Sequence, residues 1–151
     1  MITIEDFKIK HSNKVRFIGL DLGSKRIGVS ICDERQSIAT PFKTINKTNT
    51  NELIDELKIM IKDNNIGGII VGNPVNMDGS LGRSAQSVND VASNISKSID
   101  LPVILWDERL STVGAFNLSS LLDVNVSKRV KTIDQNAAAF ILQGAIDFLN
   151  N

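Results

Sequence analysis

Three acids in this 151-residue chain stand where apolar runs end. In "FIGLDLG", period-two alternation puts Phe17, Gly19 and Asp21 on one face of a strand and Ile18, Leu20 and Leu22 on the other. Asp21 is then a carboxylate in an apolar strand, on the side kept clear by Gly19. Burying a lone carboxylate is expensive, so it needs hydrogen bonds, a cationic partner or a metal. The plainer alternative is an aspartate that opens a turn with Gly23. In "VILWDERLST", Asp107 and Glu108 close another apolar run. Ligand sites in open α/β sheets gather at the carboxyl ends of strands, which makes Glu108 a candidate. Adjacent residues of a strand face opposite ways, so only one of this pair belongs to a shared site. Asp134 heads a stripe, Asp134, Ala138, Ile141, Ala145 and Phe148, that should pack on the sheet. Its plainer reading is electrostatic. With Thr132 as cap, Asp134 is the second helical residue, where the helix dipole favours a carboxylate by ~0.3–1 kcal/mol.

What three converging acids could do is limited by what accompanies them. His11 is the only histidine and lies near the N-terminus, which excludes serine-triad and histidine-relay mechanisms that draw a histidine from this chain. An all-oxygen cluster suits Mg²⁺ or Mn²⁺ and poorly suits zinc. Seventeen basic and seventeen acidic residues give zero formal net charge, so phosphate contacts must come from local patches rather than bulk electrostatics. The candidates are Lys25-Arg26, Arg83, Arg109 and Lys128-Arg129 with Lys131, each of which could equally be a solvated surface charge.

The elements that must position these residues follow from periodicity. Phe17–Leu22 and Ile27–Cys32 read as a hairpin across Gly23-Ser24-Lys25-Arg26, and Ile38–Ile45 as a third strand pushed towards an edge by Pro41. Asn49-x-x-Glu52 is a capping-box pattern opening a helix that Asn64-Asn65 and Gly67 stop. "GGIIVG" is a short run of the kind buried on both faces of a parallel sheet. A polar loop from Asn73 to Gly82 leads to a helix striped by Val88, Val91, Ala92, Ile95 and Ile99. After the strand ending at Trp106, one helix is expected near Thr112 and a last one from Thr132 to Leu149. Hairpin strands followed by βα units imply an α/β domain with a mixed sheet. Residues 1–14 read as a polar leader, of which folding should not need 1–13, and 15–151 as one domain.

Four motifs in order, "FIGLDLGSKRIGVSI", "IIVGNPVNMDGS", "WDERLST" and "IDQNAAAFIL", resemble the YqgF family of ribonuclease H-like nucleases. Members of that family are also described as Holliday-junction-resolvase-like and as pre-16S ribosomal RNA nucleases. The resemblance runs from about Phe17 to Leu149. It implies a ribonuclease H-like, five-stranded mixed sheet with helices on both faces, and a carboxylate trio that maps onto Asp21, Glu108 and Asp134. Asn73 stands where the family usually has an apolar residue, and "SKRVKT" is less basic than the family norm.

The implied reaction is metal-assisted hydrolysis of a phosphodiester in structured nucleic acid, most specifically at the 5′ end of pre-16S rRNA, with Mg²⁺ or Mn²⁺ held by the trio. Branched DNA is the alternative substrate. Two rivals stay open: an ATP-binding protein of the actin and sugar-kinase class, for which the chain is short, and a non-catalytic RNA- or ribosome-associated module. A single cysteine, a charged N-terminus and no apolar run near the ~20 residues of a membrane span point to the cytoplasm and to no membrane partner. A monomer or weak dimer is the expectation for assembly, which these features do not decide.

Overall fold

The computed structural model describes residues 1–10, 15–23, 25–46, 49–74, 83–107 and 126–150; at 8–10, 83–85 and 126–135 the description is of the backbone. Its elements are α1 (Ile4–Lys10), β1 (Arg16–Leu22), β2 (Arg26–Cys32), β3 (Ala39–Asn46), α2 (Thr50–Asn64), β4 (Ile66–Asn73), α3 (Arg83–Ser98), β5 (Val103–Asp107) and α4 (Val126–Asn150). The strands form one sheet in the order β3-β2-β1-β4-β5. β1 and β2 pair antiparallel, as do β2 and β3, whereas β4 lies parallel to β1 and β5 parallel to β4. The mixed sheet with helices on both faces is the expected architecture.

Local chemistry explains the boundaries. The Asn49 side chain caps α2 by accepting the Glu52 N–H at 2.9 Å. Asn65 ends the same helix in the left-handed region at φ 54°, where Asn is tolerated. The β2–β3 turn is built on Asp33, whose Oδ1 accepts the N–H groups of Ser37 (2.8 Å) and Ile38 (2.9 Å). Those bonds hold its carboxyl below the usual aspartate value. β3, carrying Pro41, is indeed an edge strand.

Two apolar layers sandwich the sheet. On one face Ile18, Leu20, Val29, Ile69 and Val71 meet Leu57 of α2 and Ile95 of α3. On the other, Phe17, Ile70, Ile104 and Trp106 meet Ile141, Leu142 and Ala145 of α4. This two-sided burial is why β4 reads as a continuous apolar run.

Two expectations are corrected. The first residues are no loose polar leader: α1 docks, with Phe7 fully buried and stacked edge-on to Phe17 at 5.1 Å between centroids. The Ile2 N–H bonds Val103 O at 3.2 Å, adding a one-residue parallel bridge beside β5. The polar residues of the segment hid an Ile4/Phe7 pair spaced i, i+3 on one helical face. The second correction concerns Thr132. It is not a cap, because α4 begins at Val126 and runs through it. Nothing in "VSKRVKT" breaks a helix, and a cap-like pattern also occurs inside one. Asp134 therefore lies two turns inside the helix, beyond the reach of the terminal dipole, and the electrostatic explanation for it fails. The helix expected near Thr112 lies outside the described residues.

Candidate active site

The site is set by how closely α4 approaches β1. A Cβ added at Gly19 would lie 2.7 Å from Leu142 Cβ and 2.9 Å from the Ala138 carbonyl oxygen, so no other residue fits here without moving the helix. Opposite Gly19 in the β1–β2 register stands Ser30, fully buried, whose Oγ donates to Ala138 O at 2.7 Å. A small residue and a short donor side by side thus let the helix backbone sit against the sheet. Gly19 was legible in the sequence as the residue that clears this face; Ser30 was missed. Its signal is a serine in register with a glycine inside the apolar run "RIGVSIC".

Direction follows from three contacts. Ala138 lies over Gly19 and Ser30, Gln143 Oε1 accepts the Ala39 N–H at 2.8 Å, and Asn150 Nδ2 donates to Gln36 O at 2.9 Å. Since Ala39 pairs with Cys32, α4 runs antiparallel to β1. Position 134 precedes Ala138 by four residues, about 6 Å along the helix and on the same face. Asp21 follows Gly19 by two residues, about 6.6 Å along the strand and on the same face. The two advances match, so the backbone at position 134 sits level with Asp21 on the side of the sheet that Asp21 faces. Asp21 itself is half-buried at the carboxyl end of the central strand, and its carbonyl accepts the Gly23 N–H at 3.1 Å as the hairpin turns.

β4 and β5 end at the same edge, with Asn73 and Asp107 in register. The pleat assigns Asp107. Ile104 and Trp106 pack on the α4 side, whereas Val103 and Leu105 pack with α2 and α3. Asp107 has the parity of Val103 and Leu105, so it faces away from Asp21. Trp106 seats α4 on β5: a Cβ at Gly144 would come within 3.1–3.3 Å of its indole, and Phe148 stacks tilted at 6.1 Å.

Of the other expected residues, Glu108 and Arg109 lie outside the described residues, as does most of the polar loop from Asn73 to Gly82. Lys25 is exposed beside the start of β2. Arg83 opens α3, and Lys128, Arg129 and Lys131 fall in the first two turns of α4; these are described as backbone only. Because position 134 is level with Asp21 near the sheet's edge, the eight preceding residues of α4 extend about 12 Å past it, carrying those three basic positions. Among the described residues no three His, Cys, Asp or Glu side chains cluster as metal ligands, and Asp21 is the one expected ligand whose side chain is described. Among them, too, no helix is long and apolar enough to cross a membrane.

A family model described as "RuvX: Holliday junction resolvase" matches residues 15–148. The chain belongs to this family. It is 99% identical, over the full length of both chains, to a protein of Pelagibacter ubique (strain HTCC1062) named "Putative pre-16S rRNA nuclease". A protein of the same name from Sphingopyxis alaskensis is 44% identical over 142 residues, covering 94% of this chain and 93% of the relative. In fold the chain is similar to Thermus thermophilus RuvC, solved with a Holliday junction substrate. The TM-score is 0.53 at 10% identity, over 89% of this chain and 95% of that one. At that identity the likeness establishes the ribonuclease H-like and RuvC-like architecture alone.

Proposed function

We propose that the protein is a metal-dependent endonuclease that hydrolyses phosphodiester bonds in structured nucleic acid, with the 5′ end of pre-16S rRNA as its substrate. The observation that carries this reading is the match in height between Asp21 and position 134. Asp21 and the backbone at position 134, far apart in sequence, come to the same height on one face of the sheet through the Gly19–Ala138 contact. Pleat parity supports Glu108 as the third member, because Asp107 faces the other layer and the following residue of a continuing strand alternates back. The substrate named for the near-identical relative supports pre-16S rRNA.

Asp21, Glu108 and Asp134 offer only carboxylate oxygens, a donor set that fits Mg²⁺ or Mn²⁺. Bound there, such ions would make a water nucleophilic near neutral pH and neutralise charge on the phosphoryl oxygens. The protein's own part is positioning. The strand end fixes Asp21, the seated helix fixes position 134, and the surrounding apolar layers keep both backbones from shifting. Lys25, Arg83, Arg109, Lys128, Arg129 and Lys131 would steady the phosphate backbone, which orients a nucleic acid without reading its sequence.

The test is cleavage of a precursor 16S transcript and of a four-way DNA junction by purified protein with Mg²⁺, Mn²⁺ or EDTA. Metal-dependent cut of the transcript is expected. Cut of the junction alone would favour the branched-DNA reading that the family model's description carries. Asp21→Asn should abolish cleavage and leave stability in EDTA unchanged or slightly raised, because it relieves repulsion between clustered carboxylates. A structural carboxylate would behave oppositely, with ~3–5 kcal/mol lost when half of a buried pair is removed. Such a loss, with cleavage surviving in proportion to the folded fraction, would sink the catalytic reading.

A further inference from the structure

α4 is not packed evenly against the sheet. Ile141, Leu142 and Ala145 bury its centre, and Ser30 holds one of its carbonyls, that of Ala138, by a single hydrogen bond. On the side of β3 the packing is incomplete. A half-open pocket of about 230 Å³ lies there between Ala39 and Pro41 of β3 and Asn136, Ala139, Phe140 and Gln143 of α4. It runs along seven residues of the helix, about 10 Å, and its far end, Asn136, stands two residues from position 134. A helix flank that borders open space lacks the close contacts that elsewhere resist a shift.

Gln143 bridges this flank. Its Oε1 accepts the Ala39 N–H at 2.8 Å and its Nε2 donates to Ser37 O at 2.9 Å. The carbonyl of one residue and the N–H of the next but one are the pair that a parallel neighbouring strand engages, so the carboxamide docks on this edge as a strand residue would. Two bonds from one planar group set direction as well as distance. Nε2 also donates to Asp147 Oδ1 at 2.9 Å, one turn further along α4, which holds the amide in that orientation. The turn it grips is itself fixed. Asp33 Oδ1 accepts the Ser37 and Ile38 N–H groups, and Gln36, held at φ 56°, donates through Nε2 to Val15 O at 3.0 Å, just ahead of β1.

We propose that Gln143 is a positioning residue for the active site: it sets the tilt of α4 about the Ser30–Ala138 bond, and so the place of position 134 beside Asp21. The inference rests on the nuclease reading above and names a distant determinant of its site. The geometry is that of a lever. Gln143 lies five residues from Ala138, about 7.5 Å along the helix, and position 134 lies four residues to the other side, about 6 Å. A stiff helix pivoting at Ala138 carries a slip at Gln143 to position 134 at about four-fifths of its size, in the opposite direction. Catalytic constellations must be held within about 0.5 Å, so a slip of that order at the far arm is enough to disturb the site.

The experiment compares the full wild-type chain with Gln143→Met, which keeps the length of the side chain and removes both backbone bonds. Gln143→Glu, which keeps the acceptor for Ala39 and loses the donor to Ser37, carries the test if the first variant does not fold. Ile54→Val, in the apolar layer on the other face of the sheet, controls for lost stability. In ¹⁵N-labelled protein in EDTA, the Gln143 variants should shift the amides of Asp21 and of residues 133–136, across the pivot, and Ile54→Val should not. Mn²⁺ affinity, read by electron paramagnetic resonance where every variant is fully folded, should fall at least tenfold in the Gln143 variants and stay at the wild-type value in the control. Transcript cleavage should lose kcat at least tenfold with KM within twofold, the pattern of a misplaced catalytic group. Amide shifts confined to one turn around Gln143, Mn²⁺ affinity and kcat no lower than in the control, or unfolding of both Gln143 variants would overturn the assignment. Shifts across the pivot in a protein that binds no Mn²⁺ and cuts nothing would refute the nuclease reading and leave the lever standing. Equal cleavage by wild type and both Gln143 variants would refute the lever alone.

Discussion

Ser30 Oγ donates a 2.7 Å hydrogen bond to the carbonyl of Ala138, 108 residues further along the chain. With Gly19 alongside, that bond sets how closely α4 approaches β1, and so where position 134 stands over Asp21. Disturbing this contact should harm the site more than the fold. Gly19→Ala forces a Cβ against Leu142 and the Ala138 carbonyl, and overpacking of this kind costs ~1–3 kcal/mol. Urea unfolding should show that loss, and cleavage should fall tenfold or more under conditions where the variant is still folded. Activity that falls only with the folded fraction would mean the helix position does not matter.

Asp107 and Glu108 are adjacent acids that a pair of conservative substitutions can separate. Asp107→Asn should keep most of the metal-dependent activity, since Asp107 has the parity of Val103 and Leu105, away from Asp21. Glu108→Gln should remove activity. The reverse pattern in a cleavage assay would overturn the assignment within this pair.

Phe7 is fully buried against Phe17, and its ring also fills the space beside Gly68. Phe7→Ala should destabilise by ~3–5 kcal/mol, the usual cost of removing a buried aromatic ring. A chain begun at Lys14 should lose at least as much, measured by denaturant unfolding. A truncated chain melting within a few degrees of full length would show that α1 adds nothing to the core.

Cys32 is buried, and burial pushes its thiol from the ordinary 9.0 up to about 11. The folded state therefore favours the neutral thiol. Any stability it contributes is fully present below pH 9.0 and is lost as pH rises towards 11, because the unfolded thiol ionises first. In native protein at pH 8, Cys32 should react with a thiol reagent only as fast as the chain opens. Labelling at the rate of a free thiol would contradict its burial.

Much of this molecule could be read from residue order alone. The Asn49 cap, the edge character that Pro41 imposes on β3, and the two-sided burial of β4 are local or periodic properties, governed by neighbours a few residues away. So is the clearing of one face of β1 by Gly19, which sets Asp21 apart. Other features depend on partners distant in sequence. The docking of α1 required Phe17 and Gly68 to meet Phe7. The true start of α4 was hidden because Thr132, which reads as a cap, is equally compatible with the inside of a helix. Which face Asp107 takes was open until the packing of Ile104 and Trp106 fixed the phase of the pleat. An amphipathic pattern states which residues share a face, but not which layer that face will meet. That choice is made when helices and sheet pack, and here the packing sets Asp107 on the face opposite Asp21.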